Sequence, residues 1–253
     1  MTRPGDIEPM TVKLYQTIAA DLQRELDAGV WKPGDRLPPE RVLATRFGVS
    51  RTSLREALLA LEFAGRLEIR DRAGVYVREP EATVALPAFA DLPGPYEVLE
   101  ARRLIEGEAT YRTALRASHA ELAVIVDAAR RLAAIDQNDL VTFQRIDRAF
   151  HVHIAHACGN SVLAELVVAL WDQRDGPLWK SWYEGTRSTE NRTRSSQQHL
   201  EIAAFLEARQ AQPARAAMER HIDTIIERFL RYGAEATDAD PMVAPRTKAK
   251  ASG

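Results

Sequence analysis

The fold of the first part of the chain is decided by the stretch Phe47-Gly48-Val49-Ser50-Arg51-Thr52-Ser53-Leu54-Arg55. A helical pattern that begins near Pro39-Glu40 runs into this stretch and is ended by Gly48. Ser50 is a good N-cap for a second helix over residues 51–64, whose leucines at 54, 58 and 61 face inward. Two helices joined by Gly48-Val49-Ser50 predict a helix-turn-helix.

Elements of regular structure are predicted on both sides of this motif. Leucine or isoleucine recurs every fourth residue at positions 14, 18, 22 and 26, which predicts an amphipathic helix that Gly29 and Pro33-Gly34 end. After Gly65, the segments Leu67-Glu68-Ile69 and Val75-Tyr76-Val77 alternate around residues 71–74. This alternation is typical of a short β-hairpin, so the first part predicts three helices followed by a small β element.

The second helix of the motif carries cations where a helix disfavours them. Arg51 and Arg55 lie close to its N-terminus, the positive end of the helix dipole. Their position makes sense if an anion lies in front of them, and arginine can hold guanine O6 and N7 with two hydrogen bonds. Residues 36–78 hold nine arginines against five acidic residues, so the basic surface is local. The alternative is an ordinary solvated charged face.

Composition limits the class of protein. The 253 residues are 45% hydrophobic and 28% charged with a net charge of −2, which fits a globular protein that is not polybasic overall. No run reaches the roughly 18–20 apolar residues that span a bilayer, and the N-terminus lacks the apolar core of a signal peptide. The single cysteine, Cys158, excludes an internal disulfide. We therefore expect a cytoplasmic protein that is not inserted in a membrane.

The second part of the chain shows helical periodicity and no strand pattern. Prolines and a glycine between residues 79 and 95 predict a linker, and the helical segments that follow predict an antiparallel bundle. The segment 171–185 is the least predictable. The predicted organisation is a flexible N-terminus (1–10), a DNA-binding domain (11–78), the linker (79–95), a helical domain (96–233) and a disordered tail (234–253). The predicted helices cover 96–117, 120–136, 138–158, 161–172, 190–208 and 213–232.

Four side chains of the helical part form a candidate metal site. Asp147 and His151 are four residues apart, so they share one face of a helix. His199 and His221 lie on two later helices, at a separation that fits a helical hairpin. An aspartate with three neutral histidines suits a divalent ion such as Zn, Ni, Mn or Fe. The alternative is that each histidine is an ordinary hydrogen-bonded core residue. Three further histidines, at positions 119, 153 and 156, are left out of the set.

Longer strings of the first part resemble the winged-helix domain of GntR-family bacterial transcription regulators over about residues 11–78. The matching residues include Gly34 to Leu37, Glu40-Arg41, Phe47 to Arg51, Leu54 to Leu58 and Gly74 to Val77. Pro39 departs from the family, which commonly has serine there. The resemblance implies a mostly α fold with a winged helix-turn-helix and a small β wing. It also implies DNA contacts by Arg41, Ser50, Arg51, Thr52, Ser53 and Arg55, with Gly74 at the wing tip near the minor groove.

The second part resembles the FCD effector domain of the FadR subfamily over about residues 96–232. The matching strings are Asp147 to His151, Gly159-Asn160, Gln198 to Ile202 and Ala216 to His221. The resemblance implies an all-α antiparallel bundle with a divalent metal on Asp147, His151, His199 and His221. It places Arg102 in the effector pocket, where an internal salt bridge to Glu106 is the alternative. Asn160 is a second polar contact with the effector or only a helix cap.

The resemblances together predict a homodimeric transcription regulator that acts as a repressor on a palindromic double-stranded operator. Its operator affinity would be controlled by a small carboxylic or sugar acid bound at the metal. The stretch from Trp171 to Trp179 resembles members that respond to hexuronates and related sugar acids. Two alternatives remain, a regulator that senses the metal itself and a metal-dependent enzyme. The sequence offers no general base for an enzyme, so we expect none.

Overall fold

The computed structural model describes residues 14–70, 73–79, 92–136 and 138–232. These residues belong to two compact units, one built from the chain before residue 80 and one built from residues 92–232. The predicted flexible N-terminus, most of the predicted linker and the predicted tail lie outside the described residues. No helix within the described ranges is long and apolar enough to cross a membrane.

The first unit contains three helices and a hairpin, as its sequence predicts. The helices are α1 (Leu14–Asp27), α2 (Glu40–Phe47) and α3 (Arg51–Phe63), and the antiparallel strands are β1 (Leu67–Arg70) and β2 (Gly74–Val77). Gly48 ends α2 in the left-handed conformation, with φ of +68°, and it turns the chain toward α3. The Ser50 hydroxyl accepts a hydrogen bond from the Ser53 amide at 3.1 Å, which confirms Ser50 as the N-cap.

The core of the first unit lies between α1 and α3. Leucines at positions 22, 54, 58 and 61 are fully or almost fully buried there. Leu14, the first residue of the predicted stripe, does not join them, because it is 53% exposed. This core holds α3 against the rest of the unit, so the first turn of α3 is presented by a rigid support.

The second unit is helical throughout its described residues. Its helices are α4 (Pro95–Arg116), α5 (His119–Ala134), α6 (Leu140–Ala157), α7 (Ser161–Asp172), α8 (Pro177–Thr186), α9 (Thr189–Glu207) and α10 (Ala211–Arg231). Six of them were predicted within a few residues. The exception is α8, which lies in the segment that sequence periodicity leaves undecided. Pro95, predicted as the end of the linker, is the first residue of α4, a position that suits proline.

Packing in the second unit brings four helices around one polar interior. Helix α10 packs along α4 and α9, and α6 packs against α4 and α5. Helices α9 and α10 are joined by only three residues, so they form an antiparallel hairpin. The buried faces of α4, α6, α9 and α10 carry apolar residues. They also carry the charged and histidine side chains of the candidate site.

Candidate functional site

Three histidines from three helices converge at the centre of the second unit. His151 on α6, His199 on α9 and His221 on α10 are each at most 1% exposed. One ring nitrogen from each lies within 4.8 Å of the other two, close enough for one ion to be shared. The Nε2 atoms of His151 and His199 are 3.1 Å apart. The structure thus brings together the three histidines of the candidate metal site, and the exposed histidines at 119, 153 and 156 lie outside the cluster.

The outer nitrogens of two of these rings are held by acceptors. Nδ1 of His151 donates to the carboxylate of Glu106, which can only accept while it is ionised. Nδ1 of His221 donates to Oε1 of Gln198 at 3.1 Å. Both rings therefore direct the lone pair of Nε2 toward the centre of the cluster, which is how proteins orient metal-binding histidines. These nitrogen ligands fit a divalent cation.

Burial favours the neutral form of His151 and His221. Desolvation lowers the pKa of His151, against the opposing effect of Glu106. Desolvation and the neighbouring His199 hold the pKa of His221 well below its ordinary value. A neutral imidazole has the lone pair that a metal needs, so the environment of the cluster selects the form that can bind an ion.

Asp147 approaches the cluster from the same helix as His151. Its Oδ1 lies 3.2 Å from Nε2 of His199 and 3.8 Å from Nε2 of His151. Its Oδ2 accepts a hydrogen bond from Arg174 at 3.1 Å. Burial alone would raise the pKa of Asp147, but the hydrogen bond from His199 and the charge of Arg174 hold it well below its ordinary value. The aspartate thus offers an anionic oxygen as a metal ligand beside the nitrogen atoms of three histidines.

A second buried ion pair lies next to the histidines. Arg102, 1% exposed, donates from Nε to Oε1 of Glu106 at 2.6 Å. The same carboxylate oxygen accepts from Nε1 of Trp171 at 3.1 Å. Burial would raise the pKa of Glu106, but Arg102 and His151 lower it to about 2. The predicted alternative, a salt bridge between Arg102 and Glu106, is therefore present, yet Nη2 of Arg102 is buried without a partner.

The indole of Trp171 connects the two ion pairs. The guanidinium of Arg102 lies 4.2 Å from the centre of this ring and that of Arg174 lies 4.1 Å from it. Both distances are typical of cation–π contacts. Trp171 thus fixes two arginines and one carboxylate at once. The stretch from Trp171 to Trp179, which sequence periodicity leaves undecided, thus contributes to the polar site through this residue.

A cavity opens from this site between α6, α8, α9 and α10. Its lining includes Arg102, Asp147 and His221 together with residues of α8, α9 and α10. Asn160 is absent from the lining, and its Oδ1 accepts a hydrogen bond from the Leu163 amide at 3.1 Å. The effector contact predicted for Asn160 is corrected accordingly, because this side chain caps α7 and does not face the cavity.

The predicted DNA-binding residues divide into two groups in the first unit. Arg41, Ser50 and Arg51 are exposed, and Thr52 and Ser53 are half-buried in the first turn of α3. The hydroxyls of Ser50, Thr52 and Ser53 form a cluster, with Ser50 Oγ 2.7 Å from Thr52 Oγ1 and 2.9 Å from Ser53 Oγ. Residues 50–53 thus form one polar surface at the start of α3, while Arg41 is exposed on α2.

Arg55 and Gly74 are placed differently from their predicted positions. Arg55 is 2% exposed, and its Nε donates to Oε1 of Glu40 at 3.0 Å in a buried ion pair between α3 and α2. Gly74 has φ of +104° and is buried, with Arg36 covering the position that a Cβ would occupy. Neither residue lies on the exposed surface, because each packs against a neighbouring arginine or glutamate.

Sequence reasoning missed several polar residues of the site. Arg174 lies in the segment without periodicity, so no pattern indicated which way it points. Glu106 was considered only as a partner of Arg102, although it also orients His151. Gln198 stands directly before His199 in a string already singled out, and that adjacency was the one signal for its role.

A helix-turn-helix unit and a helical unit with a buried polar cavity, in one chain, define a DNA-binding protein with a ligand-binding domain. Residues 14–77 match the family described as bacterial regulatory proteins, gntR family, and residues 97–224 match the FCD domain. The chain therefore belongs to the GntR family of transcription regulators and carries an FCD domain. It is a regulator of the FadR-like kind, not an enzyme.

Curated relatives support this assignment over most of the chain. The Uxu operon transcriptional regulator of Escherichia coli (strain K12) is 31% identical over 233 residues, 86% of this chain and 87% of that protein. The Exu regulon transcriptional regulator of the same strain is 33% identical over 222 residues, 83% and 82% of the two chains. Separately, and without bearing on the assignment, the chain is similar to the solved structure of E. coli McbR/YncC over 87% of this chain and 98% of that one, with a TM-score of 0.47 and 24% identity.

Proposed function

We propose that this regulator is a homodimeric repressor whose affinity for a palindromic operator is controlled by a small carboxylic or sugar acid. The observation that carries the proposal is the buried meeting of His151, His199 and His221 beside an arginine with an unpartnered N–H group. Water-inaccessible donors and acceptors of this kind are costly in an apolar core. A bound ion and a bound acid would satisfy them.

The operator surface is proposed to be the first turn of α3 with Arg41 of α2. Arg51 is exposed at the start of α3, where an arginine can reach guanine in the major groove. The hydroxyls at 50, 52 and 53 and the free amides of the helix start can donate to phosphates. The ion pair with Glu40 assigns Arg55 a positioning role, holding α3 against α2. Gly74 supports the hairpin by accepting a positive φ.

The metal site is proposed to consist of His151, His199 and His221 with Asp147 as the oxygen ligand. A divalent cation held there, such as Zn, Ni, Mn or Fe, would supply a positive centre for a carboxylate. Glu106 and Gln198 orient two of the rings through their Nδ1 atoms. Removal of such an orienting group typically lowers metal affinity about 10- to 100-fold.

The acid is proposed to bind Arg102. Its Nε is held by Glu106 and its plane by Trp171, so the unpartnered Nη2 points in a fixed direction. A guanidinium oriented in this way is suited to a carboxylate. The resemblance to regulators of sugar acids makes a hexuronate or a related acid the first class to test.

The regulatory step is proposed to be a population shift. The acid must bind the operator-competent and operator-incompetent states with different affinity, since a ligand of equal affinity shifts nothing. A coupling of about 1–3 kcal/mol would change operator affinity roughly 5- to 150-fold.

The test measures operator binding by fluorescence anisotropy in metal-loaded and metal-stripped protein, with and without a panel of sugar acids. An acid that weakens operator binding only in metal-loaded protein supports the proposal. His199→Ala should abolish this response and preserve operator binding, whereas His156→Ala, an exposed histidine on α6, should leave both unchanged. Operator binding that follows the metal alone would favour the metal sensor instead. Binding that ignores both would refute the effector half of the proposal.

A further inference from the structure

The cavity of the helical unit contains far more positive than negative charge. Five arginines line it, namely Arg102, Arg174, Arg192, Arg194 and Arg228. Among the described lining residues the only carboxylate is Asp147, and Arg174 already pairs with it. Arg102 already pairs with Glu106, so a monovalent acid would leave most of the positive charge of Arg192, Arg194 and Arg228 in place. The wall of the cavity is therefore built for more than one negative charge.

Arg192 and Arg228 lie on the same helical hairpin as His199 and His221. Helices α9 and α10 are antiparallel, and His199 on one faces His221 on the other with ring centres 4.5 Å apart. Arg192 precedes His199 by seven residues and Arg228 follows His221 by seven, so both displacements run the same way along the hairpin. Seven residues are two turns on the same helix face, about 10.5 Å. Arg192 and Arg228, the second pair of arginines, thus have their Cα atoms two turns along the hairpin from those of the histidines.

The second pair has polar atoms that the protein leaves unsatisfied. Nε of Arg192 and Nε of Arg228 are both buried without a hydrogen-bond partner. Arg192 is only 7% exposed, and its Nη2 donates to Thr189 at 3.2 Å. Buried N–H groups of a charged side chain are costly when they lack an acceptor. Two such groups in one cavity wall indicate that an acceptor from outside the chain binds there.

Aromatic contacts do not remove the need for that acceptor. The guanidinium of Arg228 lies 5.2 Å from the ring centre of Trp182 and 5.9 Å from that of Tyr183. These aromatic rings stabilise the positive charge of the guanidinium group. An N–H group that lies in the guanidinium plane still needs a hydrogen-bond acceptor. Burial lowers the pKa of Arg228 to about 10, so the side chain keeps its charge at neutral pH.

We propose that the effector is a two-headed acid, with one anionic group at the histidine and Arg102 end and a second at Arg192 and Arg228. The inference rests on the proposed effector site and specifies its ligand class. The second anion is a carboxylate, as in an aldaric acid, or a phosphate, as in a phosphorylated sugar acid.

The experiment compares matched acids by isothermal titration calorimetry on the full-length protein saturated with Zn²⁺. The pairs are gluconate with glucarate, galactonate with galactarate, and mannonate with mannarate, which differ only in a hydroxymethyl or carboxylate group at the far end. Gluconate with 6-phosphogluconate tests phosphate as the second anion. At least one doubly charged acid should bind 10-fold or more tightly than its singly charged partner.

Variants locate the second anion. Arg192→Met and Arg228→Met should weaken the doubly charged acid about 10- to 100-fold, the size of one or two hydrogen bonds to a charged group, and change the singly charged acid less than twofold. Arg231→Met, which removes an exposed cation from the same helix, should change neither. Thermal unfolding and Zn²⁺ content verify that each variant is folded and loaded.

The outcomes separate this inference from the proposed function. If a singly charged acid binds well and no doubly charged partner binds more tightly, the two-headed ligand is refuted and the effector site survives. If the arginine variants weaken both members of a pair equally, the second anion does not bind there. If no acid of any pair binds, the effector site fails together with the inference.

Discussion

Replacement of Glu106 by glutamine tests how the helical unit holds its buried charges. Glu106 is 2% exposed and accepts hydrogen bonds from Arg102 at 2.6 Å, from Trp171 at 3.1 Å and from Nδ1 of His151. Glutamine has the same shape but one acceptor oxygen and no charge. The substitution therefore leaves Arg102, 1% exposed, without its counter-charge and His151 without a reliable acceptor.

The expected magnitude follows from this burial. Breaking a buried ion pair by removing one partner costs about 3–5 kcal/mol, because an uncompensated charge stays in the interior. That cost is a large part of the roughly 5–15 kcal/mol by which a domain is stable, so the variant should fold but unfold at lower urea. Metal affinity should fall about 10- to 100-fold, since His151 loses the group that orients it.

Urea unfolding followed by tryptophan fluorescence measures the first effect, because three of the four tryptophans, at 171, 179 and 182, belong to the helical unit. Glu108→Gln is the matched control on the same helix. Glu108 pairs with Arg112 at 2.7 Å near the surface, and such pairs contribute about 0–1 kcal/mol. Competition with a chelating dye measures metal affinity in both variants.

A second substitution sharpens the test. Arg102→Met in the Glu106→Gln background removes the stranded charge, so the double variant should regain stability relative to Glu106→Gln alone. If Glu106→Gln unfolds at the urea concentration of the wild type and binds metal equally well, the ion pair neither stabilises the unit nor orients His151. The reasoning from burial would then be refuted.

Three further predictions concern separate parts of the molecule. Arg51→Ala should weaken operator binding in anisotropy by about 1–3 kcal/mol, while Arg24→Ala, an exposed cation on α1, should not; an equal loss in both would mean non-specific electrostatics. Asn160→Ala should cost the helical unit about 1 kcal/mol in urea unfolding without changing affinity for the acid, and a weaker acid affinity would return Asn160 to the site. Removal of metal should lower the transition temperature of the helical unit in calorimetry and leave that of the winged-helix unit unchanged. Metal added at 100 times its Kd should raise the free energy of unfolding of the helical unit by about 2.7 kcal/mol. If neither transition shifts, the folded protein has no metal site.

The helices were predictable where apolar spacing and caps agree. In α3, Ser50 marks the start and the leucines at 54, 58 and 61 mark the buried face, and the structure follows both. Helix α8 was not predictable in the same way, because its buried Trp182 and Tyr183 follow Gly176-Pro177, which periodicity alone does not classify. Pro177 does mark the start of α8, because the fixed φ of proline suits the first position of a helix.

The meeting of the candidate ligands was easier to predict than the residues that hold them in place. Asp147 and His151 share a helix face at a spacing that any reader of the sequence can measure. Arg174 lies in a 3₁₀ turn over Gln173–Asp175 and contacts Asp147, 27 positions earlier in the chain. No rule of sequence spacing predicts a contact of this kind. For Arg55, the family resemblance and its place near the helix N-terminus predicted a DNA contact, whereas the side chain turns inward to Glu40.

The arrangement of charges in the helical unit argues for regulation over structural stabilisation. Buried ion pairs are weak contributors to stability, and apolar residues of similar volume would often serve as well. The unit nevertheless encloses Arg102 and Arg192 with N–H groups that no part of the described chain satisfies. A ligand that accepts from these groups in only one arrangement of the helices has different affinity for the two arrangements. One such hydrogen bond to a charged group is worth about 1.5–3 kcal/mol, which equals the coupling that a responsive operator switch requires.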